Sequence, residues 1–357
     1  MENYIKLMTL LFTLGILFQG CDSDVKCTND KGVEVDWFIL YKLPKKLGDG
    51  LSYLYMDEKT HGWQLSKEKI NSELGAVGRT LKPLLDYYVK QTEGFGYMLY
   101  NDQPPPPYVS PPSFGHSKGV VMLDRKTGVW LSHSTPRFPT YRSQTFWPSS
   151  GNENAQTFIC VTYAYDNFKS LGFQLEYIHA YSYDSHIPTT FHSQLQCVAQ
   201  RSCYPKKAPW FRITELTSLS GSHFTSFAKY TRFNDDLYSG LLVFHLNQPL
   251  FVKTWGKMKS SPLNSNCSSS IPYHVYNVIS ISLEGHTVSN TSDHSKWCVT
   301  PLSGWTCIAD MNRETSQMKR GGGAICTDDA VVREAFYTLK SEYQNCNPLS
   351  DVQNREL

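Results

Sequence analysis

At 357 residues the chain is long enough for a large core, either as one two-lobed unit or as two domains. Its 34 lysines and arginines nearly balance 32 acidic residues, a formal charge of +2 at pH 7, which excludes a strongly basic tail for polyanions. Eleven histidines alter that balance in acid, where their protonation would raise the formal charge to +13.

In chain order, Lys6, an apolar run from Leu7 to Phe18 and small or polar residues from Gly20 to Ser23 have the layout of a secretory signal peptide, placed at residues 1–23. The run is shorter than the about 20 apolar residues of a bilayer span, and no later segment reaches that length. No stable membrane insertion is expected, and the mature chain is placed in the lumen of the secretory or endosomal system. Ten cysteines fit that oxidising route. None lies in a Cys-x-x-Cys pair, so disulfides are favoured over a zinc cage and no metal is expected. Asn266 and Asn290 head Asn-x-Ser triplets and are candidate glycosylation acceptors.

Next, "VEVDWFILYKLP" and "YMLY" have the β-branched and aromatic content of strands, while "ELGAVGRTLKPLLDYYVK" has helical spacing despite Pro83. "NDQPPPPYVSPPSFG", Asn101 to Gly115, is a loop whose prolines cannot supply ladder hydrogen bonds. It leads directly to His116. "KGVVML" and "GVWLSH" flank "DRKTG" as a hairpin. Farther on, "LTSLSGSHFTSFAKYTRF" has roughly helical spacing and "HVYNVISISLEG" is a strand candidate. Strands and helices therefore mix along the chain, which favours an α/β or α+β class over a sandwich.

One word occurs twice. His116-Ser117-Lys118 and His294-Ser295-Lys296 are each followed by a turn and a tryptophan-bearing apolar segment, the mark of an internal repeat. In a strand, residues i and i+2 share a face, so each His–Lys pair is expected on one side of its strand. If two halves pack about a pseudo-twofold, all four side chains meet in one cleft. The lysines would neutralise non-bridging phosphate oxygens, one imidazole would attack phosphorus and the other would protonate the departing oxygen. A single His-x-Lys is usually an exposed strand edge; its repetition is what turns the reading to chemistry. His186 and His192, six apart across a proline, are read as structural.

The segments "VEVDWFILYKLPK", "NDQPPPP", "GHSKGVVMLD", "HSTPRFP", "NDDLYSG", "DHSKWC", "WTCIADMNR" and "RGGGAIC" resemble those of the deoxyribonuclease II family of lysosomal acid endonucleases, from about Cys27 to Cys346. That family is itself similar to phospholipase D in carrying paired His-x-Lys motifs in two halves. The resemblance implies a mixed α+β (α/β) fold of two phospholipase D-like halves related by a pseudo-twofold, each a central sheet flanked by helices. The first half is placed at 24–165 and the second at 166–357. It implies cleavage of double-stranded DNA at acid pH without metal or cofactor, leaving 3′-phosphate and 5′-hydroxyl ends, in the lysosome. His116, Lys118, His294 and Lys296 take the catalytic positions, and which histidine attacks is open.

The phospholipase D pattern has an Asp five positions after each Lys, whereas this chain has Leu123, with Asp124 next, and Pro301. In place of that family's later Ser and Asn stand His133 and Ser134 in the first half and Asn312 in the second. His133 and Asn312 are assigned to phosphate contact, although each could equally satisfy a buried backbone group. The resemblance also implies Cys27–Cys160, Cys267–Cys346 and Cys307–Cys326 disulfides. Cys197 and Cys203 are close enough for a local loop. Cys21 leaves with the signal peptide, so Cys298 stays unpaired. Two alternatives use the same residues differently: a lumenal phospholipase D-like phosphodiesterase, and a catalytically inactive secreted DNA-binding protein.

Overall fold

The computed structural model describes residues 24–257, 260–302 and 304–346; the expected signal peptide and Cys21 lie outside them. Among the described residues two large sheets form the frame. The first has eight strands in the order Ser182–His186, Gly96–Asn101, Lys118–Leu123, Thr127–His133, Gln156–Ala164, Trp37–Lys42, Tyr53–Asp57 and Gln64–Leu65, with antiparallel neighbours. The second has nine: Phe211–Thr217, His223–Lys229, Gly322–Thr327, Thr306–Ala309, Trp297–Val299, Leu250–Lys253, Val275–Leu283 and His286–Ser289 in order, with Lys340–Tyr343 also paired to Val275–Leu283. Leu250–Lys253 runs parallel to Val275–Leu283.

Both faces of each sheet are covered, which explains why "WFILY" reads as a continuous apolar run rather than an alternation. Trp37, Ile39 and Tyr41 enter the core between the sheets, whereas Phe38 and Leu40 enter the outer core of the first sheet. The helix Ala76–Lys90, continuous through Pro83 as expected, closes that outer core with Val77, Leu81 and Leu84. Between the sheets lies Asn167–Ile178, whose Phe168, Leu171, Leu175 and Ile178 recur at helical spacing and join residues of both sheets. Ala330–Tyr337 adds Val332 and Phe336 to the same core, its first turn capped by the Asp329 carboxylate, which accepts from Val331 N and Val332 N. On the far side, Leu241, Leu242 and Leu246 cover the second sheet. The fold is thus mixed α+β, two sheets each flanked by helices. No helix of the described residues is long and apolar enough to cross a membrane.

The helix expected over Leu216 to Phe233 is instead a hairpin: Phe211–Thr217 pairs with His223–Lys229, and only Thr231–Phe233 is a short 3-10 turn. Ser218 to Ser222 turns the chain, with Gly221 at φ +100°, and Phe224 and Phe227 face opposite cores. Aromatic and β-branched residues packed on both sides outweighed the loose helical spacing.

All four expected disulfides are present, Cys27–Cys160, Cys197–Cys203, Cys267–Cys346 and Cys307–Cys326, and Cys298 is free and buried. The strand order repeats as well. Gly96–Asn101, Lys118–Leu123, Thr127–His133, Gln156–Ala164 and Trp37–Lys42 in the first sheet correspond in neighbour order to Leu250–Lys253, Trp297–Val299, Thr306–Ala309, Gly322–Thr327 and His223–Lys229 in the second. Each His-x-Lys motif therefore enters its sheet at the same place.

Candidate active site

Lys118 opens the strand Lys118–Leu123, and Lys296 immediately precedes Trp297–Val299. The histidines, expected within those strands, lie just before them in lead-in segments. What positions them is the other sheet. His116 N donates to Gly321 O at 2.8 Å, and His294 N donates to Ala155 O at 2.9 Å. Gly321 and Ala155 are the residues directly before the equivalent strands Gly322–Thr327 and Gln156–Ala164, so the docking is reciprocal. Glycine is required at 321, where a Cβ would sit 2.2 Å from Ile178 O.

This exchange brings the motifs together. His116, His294, Lys296 and Asn312 line one cleft of about 570 Å³ with Trp255, Lys257 and Arg320. An adjoining cleft of about 450 Å³ is lined by Asp102, Tyr108, Arg137 and His294. Lys118 lines a small recess with His116, His133, Lys296 and Asp310.

Three acids absent from the sequence-based reading organise this charge. Asp102, directly after Gly96–Asn101, is ion-paired with Lys118, lies 3.3 Å from Arg320 and is 3.9 Å from Nε2 of His116. Burial favours its neutral form, but His116, Lys118 and Arg320 outweigh that and hold the carboxyl below the usual range. Asp310 accepts from Gly323 N at 3.0 Å, and its burial raises it to about 7. Asp293, fully buried, pairs with Lys253 at 2.8 Å and accepts from Tyr41 OH at 2.6 Å. Tyr41 OH also bonds Ser295 Oγ at 2.6 Å. A first-sheet tyrosine thus holds both neighbours of His294.

The histidine environments differ. Nδ1 of His116 lies 2.7 Å from Asp310 O, and a carbonyl can only accept, so Nδ1 carries a proton. Nδ1 of His294 faces the Gln156 amide at 3.5 Å, and Gln156 in turn accepts from Ser134 Oγ at 2.6 Å. Trp255 stands edge-on to His294 with ring centroids 3.8 Å apart. Burial, and then Lys118, Lys296 and Arg320 against the opposing pull of Asp102, push His116 well below its ordinary value. Burial and the cations Lys296, Lys118 and Lys253 push His294 down to about 2. Burial, with Lys118 and Lys253, lowers Lys296 to about 7.

His133 is buried against Phe138 and Phe158 and accepts from Thr135 N at Nδ1, while its Nε2 has no partner. Asn312 faces the main cleft and accepts from Trp255 N at 3.3 Å. Asp124 accepts from Lys126 N and Thr127 N and builds the hairpin turn. His186 stacks on Tyr87, and His192 stacks on Tyr165 and bonds its carbonyl, both structural as expected. Gln156 and Asp310 carried no spacing signal, because each reaches the histidine of the opposite sheet only through the meeting of the two sheets. Asp102 meets Lys118 across neighbouring strands of the first sheet, and Asp293, beside His294 in the chain, gains its role from Lys253 and Tyr41. Among the described residues Cys267, His274 and Cys346 are grouped closely enough to hold a cation, but the two sulfurs are joined in a disulfide and offer no thiolate.

Two sheets that exchange histidines across a cleft lined by Lys257, Lys296 and Arg320 have the arrangement of a hydrolase of phosphodiesters. The model of the deoxyribonuclease II family matches residues 26–346, and the chain belongs to that family. It is 40% identical over 338 residues to deoxyribonuclease-2-alpha of Mus musculus, covering 90% of this chain and 94% of that protein. To deoxyribonuclease-2-beta of Mus musculus it is 39% identical over 337 residues, 90% of this chain and 93% of that one. Plancitoxin-1 of Acanthaster planci is 36% identical over 351 residues, 94% of this chain and 96% of that one.

Proposed function

We propose that the protein is an acid endodeoxyribonuclease that hydrolyses double-stranded DNA to 3′-phosphate and 5′-hydroxyl ends, with His116, Lys118, His294 and Lys296 as its catalytic residues. The observation that carries this reading is the reciprocal docking of His116 and His294 on Gly321 and Ala155, which gathers both motifs at one cleft. The two halves are read as 24–165 and 166–357 about a pseudo-twofold, with the edge strand Ser182–His186 returning to the first sheet. The signal at 1–23, glycosylation at Asn266 and Asn290 and residence in the lysosome complete the reading.

His116 is the nucleophile. With Nδ1–H held by Asp310 O, its Nε2 lone pair attacks phosphorus; the P–N bond forms as the P–O5′ bond breaks. In the free protein burial and the neighbouring lysines hold His294 neutral; the bound DNA phosphate favours its imidazolium, which gives its Nε2 proton to the leaving O5′. With the Gln156 amide turned to present its oxygen, Nδ1–H of His294 keeps one acceptor while Nε2 gives up its proton and later takes another. Water then gives a proton to His294 and its oxygen attacks phosphorus, breaking the P–N bond and releasing the 3′-phosphate. Lys118 and Lys296 neutralise the non-bridging oxygens, while His133 Nε2 and Asn312 assist in phosphate contact. Plasmid nicking at about pH 5 with a chelator present tests the reading. Product ends that accept a 5′-phosphate without prior dephosphorylation are expected; loss of nicking that magnesium or zinc restores would refute it.

A further inference from the structure

Two lysines outside the cleft occupy matching places in the two sheets. Lys42 ends Trp37–Lys42 opposite Gln156, and Lys229 ends His223–Lys229 opposite Gly322, the first residues of the equivalent strands. Both are fully buried. Each gathers main-chain oxygens: Lys42 Nζ donates to Gly50 O at 3.1 Å and Asn152 O at 2.9 Å, and Lys229 Nζ donates to Gln317 O at 3.1 Å, Met318 O at 2.9 Å and Arg320 O at 2.7 Å. A buried ammonium held by carbonyls is a costly way to fill a core position that methionine would fill more cheaply. Finding it at both equivalent positions calls for a shared use.

The carbonyls show that use. Arg320 is the residue before Gly321, whose oxygen receives His116 N. Asn152 lies three residues before Ala155, whose oxygen receives His294 N, and Gln156, the partner of Lys42 in the ladder, faces Nδ1 of His294. We propose that Lys42 and Lys229 are a matched pair of positioning residues, each clasping the segment on which the histidine of the opposite sheet docks: Lys42 for His294 and Lys229 for His116. Lys229 has a second route to the same histidine. By fixing Arg320 O it anchors the guanidinium that pairs with Asp102 and donates to Phe114 O and Gly115 O, just before His116. The inference rests on the proposed roles of the two histidines for its catalytic consequence, though not for its geometry.

Lys42→Met and Lys229→Met keep side-chain volume and remove the donors. Imidazole resonances of the labelled protein, assigned with His116→Asn and His294→Asn, should respond crosswise: Lys42→Met moves the His294 signal and leaves His116 in place, and Lys229→Met does the reverse. Turnover on duplex DNA at acid pH should fall at least about 10-fold, with KM within about twofold, as expected of misplacement rather than lost binding. If the methionine variants lose cooperative melting, Lys42→Gln and Lys229→Gln, which retain two donors, are read the same way. Both imidazole signals moving together in each variant, movement of the same-sheet histidine alone, or parent turnover in both variants overturns the proposal. A parent protein without nuclease activity would refute the function instead, and the crossed or uncrossed imidazole pattern would then decide the clasps by itself.

Discussion

Nδ1 of His116 lies 2.7 Å from the main-chain oxygen of Asp310, a residue of the opposite sheet. His294 meets, among the described residues, a side-chain amide at Nδ1 in place of a carbonyl, and that amide can present either end. The two histidines of a repeated motif are therefore not interchangeable.

This asymmetry predicts a split response to leaving group. On duplex DNA, His116→Asn and His294→Asn should each cost at least about 3 kcal/mol of transition-state stabilisation. On the p-nitrophenyl ester of thymidine 3′-phosphate, whose leaving group needs no proton, the first displacement should recover in His294→Asn and not in His116→Asn. Burst kinetics of nitrophenolate release check this; recovery in His116→Asn would reverse the assignment.

Gln156→Glu should move the pH profile. A carboxylate facing Nδ1 of His294 favours the imidazolium and raises its pKa, so the proton needed for the leaving oxygen survives to higher pH. The alkaline limb of kcat should shift upward by about one pH unit. Gln156→Leu should lower kcat without that shift, and equal profiles for parent and Gln156→Glu would remove Gln156 from contact with His294.

Stability of the free protein should fall in acid. His116, His133 and His294 are all held below 6.5, chiefly by burial, so the unfolded chain binds more protons and the stabilisation present above pH 6.5 is lost as pH falls towards the folded values. Asp310, raised to about 7 by burial, and Glu176, also raised by burial, act in the opposite sense, while His179, lowered by burial, adds to the three histidines. The melting temperature should therefore drop from pH 6.5 to pH 4. A DNA oligonucleotide, whose phosphate favours the charged imidazoles, should restore more of it at pH 4.5 than at pH 7; scanning calorimetry with and without oligonucleotide measures both.

Lys253→Met should leave Asp293 buried with its charge unpaired, at a cost of about 3–5 kcal/mol. Tyr41→Phe removes the hydroxyl that bridges Asp293 and Ser295, at about 1–3 kcal/mol. Urea denaturation of the two variants checks the order, and the reverse order would show that the tyrosine rather than the ion pair anchors the second motif.

Cys298 packs in the outer core of the second sheet with Val252, Cys307 and Ala309. Cys298→Ala should keep most activity. Cys298→Phe has no space to enter and should displace Lys296, two residues earlier, with about 100-fold loss of rate for about 1 Å of movement. A folded Cys298→Phe protein with parent activity would show that this core does not support the lysine.

The doubled His-Ser-Lys, the helix through Pro83, the strands around the first motif and the leftover Cys298 were legible in the sequence, because each depends on neighbours along the chain or on a motif matched whole. The hairpin of Phe211–Lys229 was not: its alternating residues bury on two faces, and short apolar runs lose their period when both sides are covered. Nor were Asp102, Gln156 and Asp310, since nothing near them in the chain distinguishes an acid beside a catalytic lysine from one in a turn such as Asp124. By itself the sequence determined which side chains could do phosphodiester chemistry. The tertiary structure decided which of them meet, because each histidine is held by hydrogen bonds to a strand lead-in of the other sheet, and those partners are set by the packing of the two sheets rather than by distance along the chain.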